Sequence, residues 1–311
     1  MDDSTITTVP AIWALAGAAI LGAFALYGAT LDGMLSAPRG ARRGAASIPV
    51  RETARLLRQP RRTTVAADRL LWRAGAYGML VAALLMITVV PLGSWTLFDL
   101  DVGIVWFNAM DVMIWALVWL TGWGANATYG LVGGYRFLAH GLGYELPLMF
   151  ALVAPAIAAE SLRVTDVAAA QQGLWYVVWM PVAFLVYCLA VSAFSVWGPF
   201  AAAVGRDLAG GVTAELSGAD RLLFQVGRLA LLAAGAAFAV PMFLGGGAGP
   251  LLPDWLWVLM KTGVVLTALV WLRRRMPILR PDKFMEIGWV ILLPLVLVQD
   301  LLVAVIAVWK G

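Results

Sequence analysis

The sequence contains one cysteine, Cys188, and one histidine, His140. A lone thiol inside an apolar run excludes an internal disulfide and any thiolate metal site built by this chain alone. A lone imidazole excludes a multi-histidine haem or zinc site. Charge is scarce too, since Asp, Glu, Lys and Arg make up only 13% of the 311 residues. No repeat of fixed period and no low-complexity linker divides the chain. Gly245, Gly246, Gly247 and Gly249 before Pro250 follow no strand pattern, so they do not read as a phosphate-binding turn. Without cysteine pairs, histidine pairs or such a turn, the chain is expected to bind no cofactor of its own and not to be an enzyme by itself.

What is abundant is apolar surface: 62% of the residues are hydrophobic and the mean hydropathy is +0.87. A membrane-spanning helix uses about 20 apolar residues. Runs of that kind lie at Ala11 to Leu31, Ala74 to Leu92, Val102 to Trp123, Leu142 to Ala159, Trp175 to Trp197, Leu222 to Leu244, Trp255 to Leu272 and Ile287 to Val308. The predicted architecture is an all-α integral membrane protein of eight transmembrane helices, one domain over residues 1–311. The first run follows Asp2 and Asp3, not a basic segment, and is expected to stay as a span and not be cleaved as a signal peptide.

Basic residues set the orientation. The loop over residues 32–73 holds ten arginines, and the odd-numbered loops together carry 18 of the 22 Lys and Arg residues. The even-numbered loops carry Arg163. The positive-inside rule then places the basic odd loops in the cytoplasm and both termini on the other side of the cell inner membrane. This asymmetry accounts for the net charge of +4, so nucleic acid is not among the expected partners. Ten like charges relieved only by Glu52 and Asp68 are expected to pack on partner subunits or on anionic membrane lipids.

Five charged residues fall inside the runs: Asp111, Glu145, Arg228, Lys261 and Asp300. Each costs about 2.5 to 3.5 kcal/mol at a helix centre on insertion scales. One reading is structural, with Lys261 and Asp300 snorkelling or pairing across helices. The other is a polar axis along which protons or water move, with Glu145, Asp111, Arg228 and Lys261 as its groups. Within that axis, depth suggests a Glu145–Arg228 charge pair. His140, five residues before Glu145, is expected at the cytoplasmic approach to the fourth span.

Several stretches form a pattern. Gly122-Trp-Gly-Ala-Asn126, Tyr129-Gly-Leu-Val-Gly-Gly-Tyr-Arg136 and Gly143-Tyr-Glu-Leu-Pro147 make one block. Phe243-Leu-Gly-Gly246, Trp257, Lys261, Trp271-Leu-Arg273, Met276-Pro277, Arg280, Asp282, Met285 and Gly288-Trp289 make a second. Glu52-Thr-Ala-Arg-Leu-Leu57 and Ala67-Asp-Arg-Leu70 precede the second span. Together these resemble the H subunit of NADH-quinone oxidoreductase, in the complex I family, from about Glu52 to Leu297.

The resemblance implies a subunit at the joint between a membrane arm and a peripheral electron-transfer arm, with no redox centre of its own. Its partners would be peripheral subunits carrying iron-sulfur clusters and other membrane subunits, antiporter-like ones among them. Quinone would be the substrate of the complex. Glu52, Arg136, His140, Asp207, Glu215, Arg273 and Asp282 are the residues it assigns to the quinone cavity or the docking face. The sequence also departs from the family. Ala25, Leu26 and Tyr27 stand where the family has a charged cluster, Pro199-Phe200 is followed by Ala201-Ala-Ala-Val-Gly-Arg206 in place of a run of carboxylates, and Phe194 and Arg228 replace glutamates. These losses leave open an alternative, the equivalent subunit of a membrane-bound nickel-iron hydrogenase or formate hydrogenlyase. A transporter without redox partners would explain the buried charges but not the motif order.

Overall fold

The computed structural model describes residues 6–38, 40 and 42–310. Asp2, Asp3 and Arg39 lie outside the described residues. In chain order the helices are α1 (Ala14–Ser36), α2 (Arg42–Ala45), α3 (Ile48–Arg58), α4 (Arg69–Ile87), α5 (Gly103–Gly124), α6 (Thr128–Ala159), α7 (Val164–Ala169), α8 (Tyr176–Trp179), α9 (Pro181–Phe194), α10 (Gly218–Phe243), α11 (Asp254–Arg275), α12 (Pro281–Ile287) and α13 (Leu293–Lys310). A π-helical stretch, Gly288–Leu292, joins α12 to α13. The protein is an all-α, multi-pass membrane protein. Among the described residues, seven helices are long and apolar enough to span a bilayer.

The predicted span Trp175 to Trp197 is not one helix. It breaks at Met180, the cap shared by α8 and α9, because Pro181 has no N–H to carry the helical ladder across. The remaining α9 has 14 residues, about 21 Å at 1.5 Å per residue, shorter than the hydrocarbon layer. The fourth span departs the other way: α6 begins at Thr128 and runs 32 residues. Its first turns hold Gly130, Gly133, Gly134, Arg136 and His140, so a search for apolar runs starts too late. The seventh long apolar helix similarly starts at Pro281, ahead of the predicted Ile287.

Two helices organise the bundle. α10 is buried nearly all round from Ala230 to Phe243 and packs against α1, α4, α9 and α11. α6 packs against α5, α9, α12 and α13. Phe107 of α5 and Phe238 of α10 stack in the core at 3.8 Å. Asp68 caps α4, accepting from the N–H groups of Leu70 and Leu71, both at 3.1 Å.

Loops gather by parity. At one end the odd loops interlock: Thr64 donates to the Ala125 carbonyl, the Arg62 N–H to Ser217 at 2.7 Å and the Leu279 N–H to the Pro199 carbonyl at 2.9 Å. At the other end the even loops meet, with the Ile104 N–H on the Leu162 carbonyl at 3.1 Å and Arg163 on Asp99 at 2.9 Å and on Asp101. There a short strand β1 (Thr7–Thr8) pairs in parallel with β2 (Trp95–Thr96), Thr7 opposite Trp95. The end of α13 also lies there, with Ile306 and Ala307 in one cavity wall with Ala170 and Leu174.

Candidate functional site

At the centre of the bundle stand two acids. Asp111 is fully buried on α5 and stands beside Glu145 of α6. Asn108 and Trp115 share the Asp111 face of α5, three and four residues away along the helix. The Asn108 amide donates to Glu145 Oε1 at 3.5 Å. Trp115 Nε1 donates to the Tyr144 hydroxyl at 3.1 Å, and that hydroxyl donates to Asp111 Oδ1 at 3.3 Å. Asp111 Oδ2 and Glu145 Oε2 meet no donor from the protein among the described residues. Sequence reading found the two acids. It missed Asn108 and Trp115, whose only signal was their place on the Asp111 face of α5, and gave no role to Tyr144, which stands beside Glu145 in the quoted block.

The expected Glu145–Arg228 charge pair is absent among the described residues. Arg228 turns the other way, donating Nε–H to the Ser195 carbonyl at 3.4 Å and an Nη–H to the Val196 carbonyl. It faces a slot of about 280 Å³ whose wall also includes Asp32, Glu52, Trp197 and Arg273. The reason is register: Arg228 lies on the side of α10 toward α1 and α3, whereas Glu145 faces α5. Arg273 and Arg274 share Asp32 at 2.8 and 2.5 Å, and Arg273 lies over the Trp197 ring at 4.4 Å. Asp32, at the end of α1, went unread because it falls just beyond the apolar run. Glu52 on α3 accepts from Arg55 at 2.6 Å, and that bond holds its carboxyl below the usual carboxylate value.

Lys261 joins neither group. Its ammonium donates to the carbonyls of Leu244, Gly246 and Ala248 at 2.7, 2.8 and 2.8 Å and sits 4.1 Å from the Trp175 ring. The glycine-rich loop is therefore a cradle for a lysine, not for a phosphate. Asp300 is buried, and neither of its carboxylate oxygens has a donor among the described residues, so the cross-helix pairing expected of these two residues is not formed.

The remaining assigned residues lie at the odd-loop end. Arg136 pairs with Asp207 at 2.6 Å, which holds the Asp207 carboxyl below its ordinary value. Both line a cavity of about 500 Å³ with Leu279, Arg280 and Asp282. Arg280 pairs with Asp282 at 3.0 Å. His140 is not at a surface but fully buried on α6, edge-on to Phe200 and Phe284 at 5.6 and 5.8 Å. Glu215 lies half-buried in the loop before α10 and lines neither cavity. Among the described residues no group of three or more His, Cys, Asp or Glu is placed to hold a metal.

Residues 15–304 match the family model described as NADH dehydrogenase. The chain belongs to the NADH dehydrogenase family. Relatives in this family agree. The chain is 33% identical over 265 residues to the second H subunit of NADH-quinone oxidoreductase from Geobacter sulfurreducens, covering 82% of this chain and 80% of that one. It is 34% identical to the first H subunit of NADH-quinone oxidoreductase from Geobacter metallireducens, covering 81% of this chain and 80% of that one. The second H subunit of the Cereibacter sphaeroides enzyme is 36% identical over 216 residues, 68% of each chain. These NADH dehydrogenase relatives lend no support to the hydrogenase alternative. The block Gly122 to Pro147 runs from the end of α5 to beyond the middle of α6. It therefore contains both the odd-loop contact of Arg136 and the acid Glu145.

Proposed function

We propose that this multi-pass membrane chain serves as the H subunit of an NADH-quinone oxidoreductase of the complex I type in the cell inner membrane. In this reading it links a peripheral redox arm to proton movement in the membrane. The observation that carries the reading is buried Asp111 beside half-buried Glu145, with their Tyr144, Trp115 and Asn108 partners. Two carboxyls in hydrocarbon are costly, and a proton-handling role gives that cost a use. Family membership and the names of the relatives support the complex.

The other parts follow from where residues stand. The slot between α1, α3 and α10 mixes apolar side chains such as Leu222, Val226 and Leu229 with a few polar ones, Asp32, Glu52, Gln225, Arg228 and Arg273, a lining that suits a prenylated quinone. The odd-loop end, with Arg136, Asp207 and Asp282, is the docking face for peripheral subunits that carry iron-sulfur clusters. The exposed apolar faces of α1 and α13 meet lipid or other membrane subunits, antiporter-like ones included.

The test is Asp111→Asn in the intact complex, in sealed membrane vesicles. Proton translocation per electron should fall severalfold while the complex still assembles on native gels. Unchanged proton translocation in the variant would overturn the relay.

A further inference from the structure

The slot between α1, α3 and α10 has a charge imbalance. An arginine carries five N–H donors, and Arg228 gives one each to the Ser195 and Val196 carbonyls. No carboxylate of the described residues pairs with it within 4.0 Å. Its charged neighbours are Arg273 and Asp32, and Asp32 is already shared between Arg273 and Arg274 at 2.8 and 2.5 Å. The other acid of the wall, Glu52, is held by Arg55 at 2.6 Å. Two guanidiniums thus share Asp32, and the third, Arg228, faces the slot without a carboxylate of its own, in a wall that also carries Thr53, Gln225 and the Arg55-bound Glu52. A cation so placed is costly unless an anion meets it.

The slot also lies at the right level for an ionic head group. α3, which forms one wall, exposes Arg51, Arg55 and Arg58 together with Ile48, Val50 and Leu57, the pattern of a helix lying on a membrane surface. A molecule entering beside it meets the guanidiniums of Arg228 and Arg273 and the apolar side chains of Leu222, Val226 and Leu229 in one wall.

We propose that this slot selects amphiphiles whose head carries a negative oxygen, with Arg228 and Arg273 donating to it. The proposal rests on the quinone reading and narrows it. The ligand class is an acidic quinone with an ionised ring hydroxyl, and a phospholipid phosphate offers the same head chemistry. Charge-assisted bonds from arginine to an oxyanion are shorter and about twice as strong as neutral ones, so the ionised head outcompetes a carbonyl.

The test measures binding to the purified intact complex by equilibrium dialysis, using a hydroxynaphthoquinone with a decyl tail and its methoxy analogue. The ionised hydroxy compound should bind at least about tenfold tighter, and the preference should vanish as pH falls through the pKa of its hydroxyl. Arg228→Gln should abolish the preference, and Arg228→Lys should keep most of it. Native gels check assembly, and binding of the methoxy analogue checks that the slot is intact in each variant. Selective retention of phosphatidylglycerol over phosphatidylcholine that depends on Arg228 supports the anion site with phosphate as its head. Equal affinity of the two naphthoquinones without such retention, or a preference that survives Arg228→Gln, overturns the proposal. If neither naphthoquinone binds but phosphatidylglycerol is retained through Arg228, the quinone reading fails and the anion site stands.

Discussion

At the scale of single residues, the charges buried in the bundle divide by the kind of partner they find. Lys261 is met by three main-chain carbonyls. Asp111 and Glu145 have each other and a tyrosine, and Arg228 has two carbonyls and a slot. A hydrogen bond to a charged group contributes about 1.5 to 3 kcal/mol, so Lys261 is a strong tie between α11 and the loop after α10. Lys261→Met should destabilise the protein by about 3 kcal/mol or more, read as a lower thermal unfolding midpoint in detergent and faster proteolysis within residues 245–249. An unchanged midpoint would show that the loop holds itself. The sequence made these four charges, and Asp300 with them, visible because they interrupt apolar runs. Their partners were not legible, since carbonyls carry no residue identity and the choice between Glu145 and a backbone oxygen for Arg228 depends on helix rotation.

At the scale of elements, small residues let helices touch. A Cβ on Gly288 would lie 2.2 Å from the Gly143 carbonyl oxygen, because the π-helical stretch after α12 crosses α6 backbone to backbone. Close approach of this kind is how helices associate in a bilayer, where no hydrophobic force drives them together. Gly288→Ala should push the two helices apart and cut the amount of assembled complex severalfold on native gels. A full yield would mean that the crossing can relax at little cost. Which segments are helical could be read from hydropathy, and seven of the eight predicted spans coincide with long helices. The fifth failed because composition does not register where proline severs a ladder. The start of the fourth failed because the glycines and Arg136 of its first turns lower the apolar signal that the reading depends on.

For the whole molecule, the alternation of long helices groups the loops by parity. The odd loops, counted from sequence alone, meet at one end through the bonds of Thr64, Arg62 and Leu279. The opposite end holds the even loops and β1. In a variant lacking Cys188, Glu160→Cys should label from outside intact cells and Arg58→Cys only after permeabilisation. The reverse result would invert the orientation and move the docking face to the other side of the membrane. The cavities themselves could not be read from the chain, because each is walled by segments far apart in sequence, such as Asp32, Glu52, Arg228 and Arg273.

The parallel pairing of β1 with β2 also sets an order of events during synthesis. Thr7 and Val9 donate to Ser94 and Thr96 at 2.9 and 3.0 Å, partners that do not exist when the first span leaves the ribosome. Those residues follow α4, so the leading segment stays unpaired until that second long helix has been inserted and its far end carried across the bilayer. Formation of β1–β2 therefore follows the insertion of both helices. The pairing closes only when the first two long helices have both reached their final orientation, and a chain with either one inverted would leave the two strands on opposite sides of the membrane.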